Sequence, residues 1–205
     1  LLALVLISLI PFPPLPTAAQ TAGGRRLSEI ARQPVFIIAV AAAALGYGVM
    51  NLLMAATPIA MAQCSHPFSD AALVLEWHVL GMFVPSFFTG HLIRRFGVLP
   101  IMGTGITLLG AHVLIALSGI EFLHFLSGLI LLGVGWNFLF IGGTSLLVQA
   151  YRPTEQARTQ AAHDFLMFAA VTVASFSAGG LLNAWGWQAV NLAVLPFLAI
   201  AAGAL

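Results

Sequence analysis

The chain has 205 residues, of which 60% are hydrophobic and 6% carry a formal charge. A soluble domain is about one-quarter charged, so this sequence could not cover a water-exposed surface. Its mean hydropathy of +1.04 indicates a lipid environment. The net charge of +1 gives no basic field for nucleic acid, and none is expected as a partner. The composition therefore predicts an all-α polytopic membrane protein whose main solvent is the lipid bilayer.

The first 33 residues divide into an apolar run and a polar one. Residues 1–12 resemble the end of a truncated transmembrane helix, which a group of prolines from Pro11 onward terminates. Residues 13–33 are predicted to be a cytoplasmic linker. Within it, Ser28 followed by Glu29 and Arg32 is also compatible with a short interfacial helix.

The remainder, 34–205, is predicted to be a six-helix transmembrane bundle. A spanning helix needs about 20 mostly apolar residues. Segments of this kind are 34–61, 70–92, 98–118, 122–150 and 160–184, with a further one over 187–205 that reaches the end of the sequence.

All seven basic residues are arginines, and their spacing sets the orientation. They lie before the first span, after the second and after the fourth, so the chain crosses the bilayer twice between successive groups. Short arginine-bearing loops mark the cytoplasmic side. The predicted cytoplasmic arginines are Arg25, Arg26, Arg32, Arg94, Arg95, Arg152 and Arg158.

Glycine recurs in pairs inside the apolar segments, at Gly46/Gly48, Gly103/Gly105 and Gly133/Gly135. None of these pairs completes a nucleotide-binding G-x-G-x-x-G after a strand. Small residues allow helix backbones to approach closely in lipid. We therefore interpret the pairs as packing or bending points.

Two polar faces lie deep within the predicted spans. Tyr47 and Asn51 are four residues apart in the first span, and Trp136, Asn137 and Phe140 cluster in the fourth. A side-chain amide in hydrocarbon needs a partner. One reading is a hydrogen bond between helices, and the other is a cavity wall where amide and ring meet a solute. These residues are the candidates for substrate binding.

Two carboxylates lie within apolar segments and are candidates for proton coupling. Glu76 either faces a water-filled vestibule or reaches the outer interface. Asp164, beside His163, either titrates or meets a neighbouring arginine such as Arg158 at the helix end.

The sequence contains no pattern typical of an enzyme or a metal site. H-E-x-x-H, C-x-x-C and G-x-S-x-G are absent, and the six histidines have no metal-ligand spacing. We expect neither catalysis nor a cofactor.

The stretch "GHLIRRFG" resembles a loop that recurs in each half of major facilitator superfamily (MFS) transporters, Gly-x-Leu-x-Asp-Arg-x-Gly. Gly90, Leu92, Arg95 and Gly97 match, whereas Arg94 occupies the Asp position. In the family this loop acts at the cytoplasmic gate, and the substitution removes the acidic member of its charge contacts. A second resemblance is "NAWGWQAVN", where Gly186 and Trp187 match the outer turn before the last helix.

The resemblance implies the C-terminal half of a twelve-helix MFS fold, with helices 7–12 over 34–205. It implies a secondary transporter that moves a small organic solute by alternating access, with proton coupling, in a bacterial inner membrane. Gly90, Arg94, Arg95 and Gly97 would form the cytoplasmic gate, and a missing N-terminal six-helix half would supply the other cavity wall. The alternative is a non-transporting membrane receptor or assembly subunit that reuses the fold.

Overall fold

The computed structural model describes residues 24–205, so the predicted helix end over 1–12 and the linker up to residue 23 lie outside it. The described part is helical and contains no strand, which confirms an all-α polytopic architecture. Its helices, in order, are α1 (Leu27–Ala31), α2 (Pro34–Gln63), α3 (Phe68–Phe83), α4 (Ser86–Phe96), α5 (Val98–Ser118), α6 (Phe122–Leu147), α7 (Gln156–Ala193) and α8 (Leu195–Ala204), with a 3₁₀ turn at Pro153–Glu155 before α7.

Four helical runs within residues 24–205 are long and apolar enough to cross a membrane, or five if α3 and α4 form one bent span. The last run, Pro153–Ala204, contains 52 residues. A straight helix of that length would measure about 78 Å, more than twice the hydrocarbon thickness of a bilayer.

Gly186 divides this last run into two arms. Its φ of 79° and ψ of 171° lie outside the helical region, in a conformation that glycine adopts without a steric penalty. Beyond it, Val194 and Phe197 line an apolar cleft together with Ala174 and Ser177, so the chain turns back alongside its first arm. These arms correspond to the predicted segments 160–184 and 187–205.

The predicted span 70–92 is bent rather than straight. α3 and α4 meet at an angle of 41° across Val84 and Pro85. Proline lacks an N–H and its ring crowds the preceding turn, so the helix cannot continue unbroken through Pro85. This bend differs from the straight span predicted from the sequence.

The arginine-bearing segments meet at one end of the bundle. A buried apolar cluster there joins the start of α2 (Phe36), the end of α6 (Leu146, Leu147) and the linker residue Ile30, with Val98 at its edge. At the opposite end, His66 lies 2.8 Å from the Ile120 carbonyl oxygen. The arrangement of the helix ends therefore agrees with the prediction that all the arginine-bearing segments lie on one side.

Helix α1 is the described end of the predicted linker. Its polar residues, including Ser28 and Glu29, are exposed, but Ile30 is fully buried beneath α2 and α6. Of the two alternatives for this stretch, the structure therefore has the short helix, and burial of Ile30 attaches it to the bundle.

Gly105 and both members of the Gly133/Gly135 pair lie where two helices cross. A Cβ on Gly105 of α5 would lie 2.8 Å from the Gly135 carbonyl oxygen of α6, and the reverse distance is also 2.8 Å. A Cβ on Gly133 would lie 2.6 Å from the His78 carbonyl oxygen of α3. The interpretation as packing points holds for these three residues, whereas Gly103 faces open space.

Gly105→Ala tests the α5–α6 crossing, with Gly110→Ala on the same helix as its control because a Cβ there meets no atom within 4 Å. Overpacking costs about 1–3 kcal/mol, so Gly105→Ala should lower the unfolding free energy in detergent by that amount. The control should leave it unchanged or raise it by up to about 1 kcal/mol. Equal effects of the two substitutions would contradict the close approach.

Candidate functional site

Five aromatic rings from four helices form a continuous row across the bundle. Trp136 and Phe140 of α6 are stacked, with ring centroids 4.9 Å apart and planes inclined by 12°. The Tyr47 ring of α2 packs edge-on against both, at 5.1 Å from Trp136 and 6.0 Å from Phe140. Phe168 of α7 lies 6.5 Å from Tyr47, and Phe83 of α3 lies 6.5 Å from Trp136. We call these five residues the aromatic row.

Every member of the aromatic row lies near the middle of its apolar segment, so the row crosses the bundle at one depth. Its outer rings are open, since Phe83 is 57% exposed and Phe168 is 54% exposed. Tyr47 and Phe140 are half-buried, and Trp136 is buried behind them. The row therefore presents a wide aromatic surface on one side of the bundle at mid-membrane depth.

A polar pair borders the aromatic row. The Asn51 amide, one turn along α2 from Tyr47, donates to Ser175 Oγ at 2.5 Å. Ser175 is exposed and lies on the same face of α7 as Phe168, seven residues earlier. The structure therefore places Asn51 at the margin of the aromatic surface, in a hydrogen bond between helices.

Asn137 is adjacent to Trp136 in sequence but points elsewhere. Its side chain is 1% exposed. The amide donates to the Met82 carbonyl oxygen and to Ser86 Oγ, each at 2.7 Å, and its oxygen lies 2.7 Å from Thr89 Oγ1. The structure thus brings Tyr47, Trp136 and Phe140 together, whereas Asn137 lies at the bend between α3 and α4.

The two candidate carboxylates lie on the same helix faces as the open rings. Asp164 is exposed, precedes Phe168 by one turn, and lines a surface cleft with it. The Asp164 carboxylate is 3.0 Å from His163 Nδ1. Glu76 is exposed and precedes Phe83 by two turns on α3. Because α3 and α7 run in opposite directions, the two carboxylates flank the aromatic row on opposite sides.

The predicted gate residues lie along α4 and at the Gly97 turn that joins it to α5. Arg94 and Arg95 are exposed in the last turn of α4, where cations interact favourably with the helix dipole. Gly97 ends the helix with φ 90°, a conformation that favours glycine. Gly90 is exposed and faces open space.

A buried carboxylate that the sequence pattern did not indicate lies at the arginine end. Glu155 is fully buried and forms an ion pair with Arg25 at 2.7 Å. The Arg25 guanidinium also donates to the Ala150 carbonyl oxygen at 3.0 Å, and the Arg152 N–H donates to the carboxylate at 3.0 Å. Glu155 lies in the 3₁₀ turn before α7, a position that is usually exposed. It is buried here because the linker residue Arg25 packs over it.

Within residues 24–205, no group of three His, Cys, Asp or Glu side chains lies close enough to hold a metal ion. Two buried imidazoles join helices. His78 Nδ1 lies 2.8 Å from the Leu129 carbonyl oxygen, and His112 Nε2 lies 3.1 Å from Asn191 Oδ1.

Comparison with known proteins gives one family. The model of the Major Facilitator Superfamily matches residues 38–205. The riboflavin transporter RfnT of Brucella anthropi is 48% identical over 177 residues, which are 86% of this chain and 44% of that protein. Two uncharacterized MFS-type transporters of Bacillus subtilis, YddS and YdeG, are each 36% identical over 137 residues, 66% of this chain and about a third of their own lengths. No solved structure matches the chain.

The chain spans less than half the length of these curated relatives. One of the two six-helix halves of the superfamily fold would cover about this share. The partial match therefore agrees with the prediction that the chain corresponds to a single half.

The linker ion pair can be tested by Arg25→Ala, with Arg26→Ala as the matched control because Arg26 is exposed. Removing Arg25 takes away the close partner of a buried carboxylate and leaves only Arg158 at 3.9 Å, which is unfavourable because the buried charge is then poorly compensated. We expect a lower melting temperature and faster linker cleavage by a protease that does not recognise arginine. The control should behave as wild type. An Arg25→Ala protein as stable and as resistant as the control would show that the pair does not hold the linker.

Proposed function

The chain belongs to the major facilitator superfamily as the C-terminal half of its fold, and we propose that with an N-terminal half it is a secondary transporter of a small organic solute. The observation that carries this proposal is the aromatic row. A mid-depth surface contributed by four helices has the position and width of one wall of a binding cavity between two halves. The other half would supply the facing wall.

The chemistry of the aromatic row favours a flat conjugated solute. Stacked and edge-on rings offer π faces and edges to a planar ligand, and each stacked contact contributes about 1–3 kcal/mol. Asn51 and Ser175 would supply polar contacts at the margin. The relative at 48% identity is a riboflavin transporter, and riboflavin contains a planar tricyclic ring. We therefore propose a riboflavin-like solute.

The proposed mechanism is alternating access across a bacterial inner membrane. The arginine-bearing end would face the cytoplasm, an orientation that the excess of arginine on one side supports. The Gly90–Gly97 segment, with Arg94 and Arg95, would act at the cytoplasmic gate against the N-terminal half. Arg94 carries a positive charge where the family motif has an Asp, so an acidic group of that half is its natural partner.

Proton coupling is proposed for Asp164 or Glu76. Both carboxylates are exposed on the helix faces that carry the open rings. Carboxylates that face a solute cavity at membrane depth are the groups that serve as proton relays in transporters. Asp164 is one turn from the aromatic row and hydrogen-bonded to His163, and we favour it.

Replacing two accessible rings of the aromatic row tests whether the row is the binding surface. Tyr47→Leu and Phe168→Leu in the full-length protein should each weaken riboflavin binding about tenfold, because one stacked contact is lost. Phe176→Leu is the control, since that ring is 87% exposed on the same helix as Phe168 but lies outside the aromatic row.

Binding and proteoliposome uptake are measured together. Unchanged binding in both row variants would contradict the aromatic surface as the site. Intact binding with no counterflow in the wild-type protein would instead favour a receptor that reuses the fold.

Asp164→Asn and Glu76→Gln test proton coupling. A coupling carboxylate is needed for accumulation driven by a pH gradient but not for solute exchange at equilibrium. We expect Asp164→Asn to lose gradient-driven accumulation about tenfold and to retain exchange. Retained accumulation in both variants would exclude both residues from coupling.

A further inference from the structure

The bend between α3 and α4 leaves backbone groups that need partners. Pro85 has no N–H, and the carbonyls in the preceding turn lose helical donors when the helix breaks. In a lipid-embedded bundle no bulk water can replace those donors, and an unsatisfied group costs several kcal/mol. The carbonyl of Met82 lies in this turn.

Both polar atoms of the Asn137 side chain in α6 form hydrogen bonds with groups at the bend. One amide hydrogen is donated to the Met82 carbonyl before the break, and the other to Ser86 Oγ after it. The amide oxygen is within 2.7 Å of Thr89 Oγ1, whose single proton serves either Asn137 or the Pro85 carbonyl. One side chain thus bridges both sides of a break in another helix.

The bend separates two functional parts of the same span. Phe83, the last residue of α3, is a member of the aromatic row and contacts Trp136. α4 begins at Ser86 and ends at Phe96, with Arg94 and Arg95 in its last turn. Because Asn137 follows Trp136 directly, the same turn of α6 holds both the aromatic row and the bend.

A change in the bend angle at Pro85 would displace the far end of α4. Its 11 residues span about 16 Å, so a rotation of about 10° at Pro85 would move its far end by roughly 3 Å. Any shift of Trp136 or Phe83 on solute binding strains the hydrogen bonds that set this angle. A small displacement at the aromatic row can therefore become a larger one at the arginine-bearing turn.

We propose that Asn137 is a positioning residue which holds the α3–α4 bend and couples the solute surface to the gate helix, and that it does not contact the solute. The coupling of the solute surface to the gate helix rests on the proposed transport function. The orientation of α4 that it predicts can be measured without any solute.

The experiment uses the full-length protein with Cys64→Ser in a background without other cysteines, and spin labels at two exposed positions at the arginine end, Phe96 at the end of α4 and Val148 just after α6. Asn137→Ala removes the whole bridging side chain, and Thr89→Val removes the hydroxyl that bonds to it. Thr89→Ser keeps the hydroxyl, and Thr107→Val is the control because that hydroxyl bonds to its own helix at the Gly103 carbonyl.

We expect Asn137→Ala and Thr89→Val to shift or broaden the label distance by about 3 Å, as the length of α4 requires. Thr89→Ser and Thr107→Val should keep the wild-type distance. If Asn137→Ala fails to fold, Thr89→Val decides the result. A wild-type distance in the variants that fold would overturn the proposal.

Riboflavin binding and uptake separate positioning from contact. A positioning role predicts that Asn137→Ala reduces uptake at least about tenfold while its dissociation constant changes less than about threefold. A tenfold weaker binding at an unchanged label distance would make Asn137 a solute ligand and overturn the proposal. Unaffected binding in Tyr47→Leu and Phe168→Leu would contradict the aromatic row as the solute site. The label distances would still show whether Asn137 holds the bend.

Discussion

Helix α6 packs against α2, α3 and α5, and these contacts require its backbone to approach its neighbours closely. Gly133 gives access to α3, and Gly135 to α5, where a side chain would collide with a backbone carbonyl. In lipid no hydrophobic force drives helices together, so packing must supply the attraction. Two glycines on one turn therefore decide how the bundle closes around α6, and Trp136 and Asn137 follow immediately after them.

The lipid environment also explains why several amide and imidazole side chains in this protein join helices, whereas most serine and threonine hydroxyls bond to their own helix. Asn51 bonds to α7, Asn137 to the α3–α4 bend, and His112 to Asn191 beyond Gly186. Each bond lies between segments that are distant in sequence. In hydrocarbon an unpaired amide or imidazole is costly, so each such residue specifies which helices meet. The proposed function uses groups left open beside these bonds: the half-exposed rings and the two carboxylates.

Sequence reasoning reached part of the candidate site. It selected Tyr47, Trp136 and Phe140, because rings near amides at mid-span are unusual in an apolar helix. It missed Phe83 and Phe168, since a lone phenylalanine in such a helix gives no sign of which neighbour it faces. It grouped Asn137 with Trp136, although adjacent residues on a helix point about 100° apart. Glu155 also escaped notice, because nothing in its local sequence shows that Arg25, far away along the chain, covers it.

Composition and arginine spacing were enough to determine an all-α membrane protein whose basic loops lie at one end, because the costs of placing charge and open backbone in lipid act on each segment alone. The motif around Gly90–Gly97 likewise identified the family from local residues. Tertiary structure alone decided the α3–α4 bend partner, the aromatic row and the burial of Glu155. These features depend on which faces of separate helices meet, and that is set by close packing between segments that a linear sequence does not place side by side.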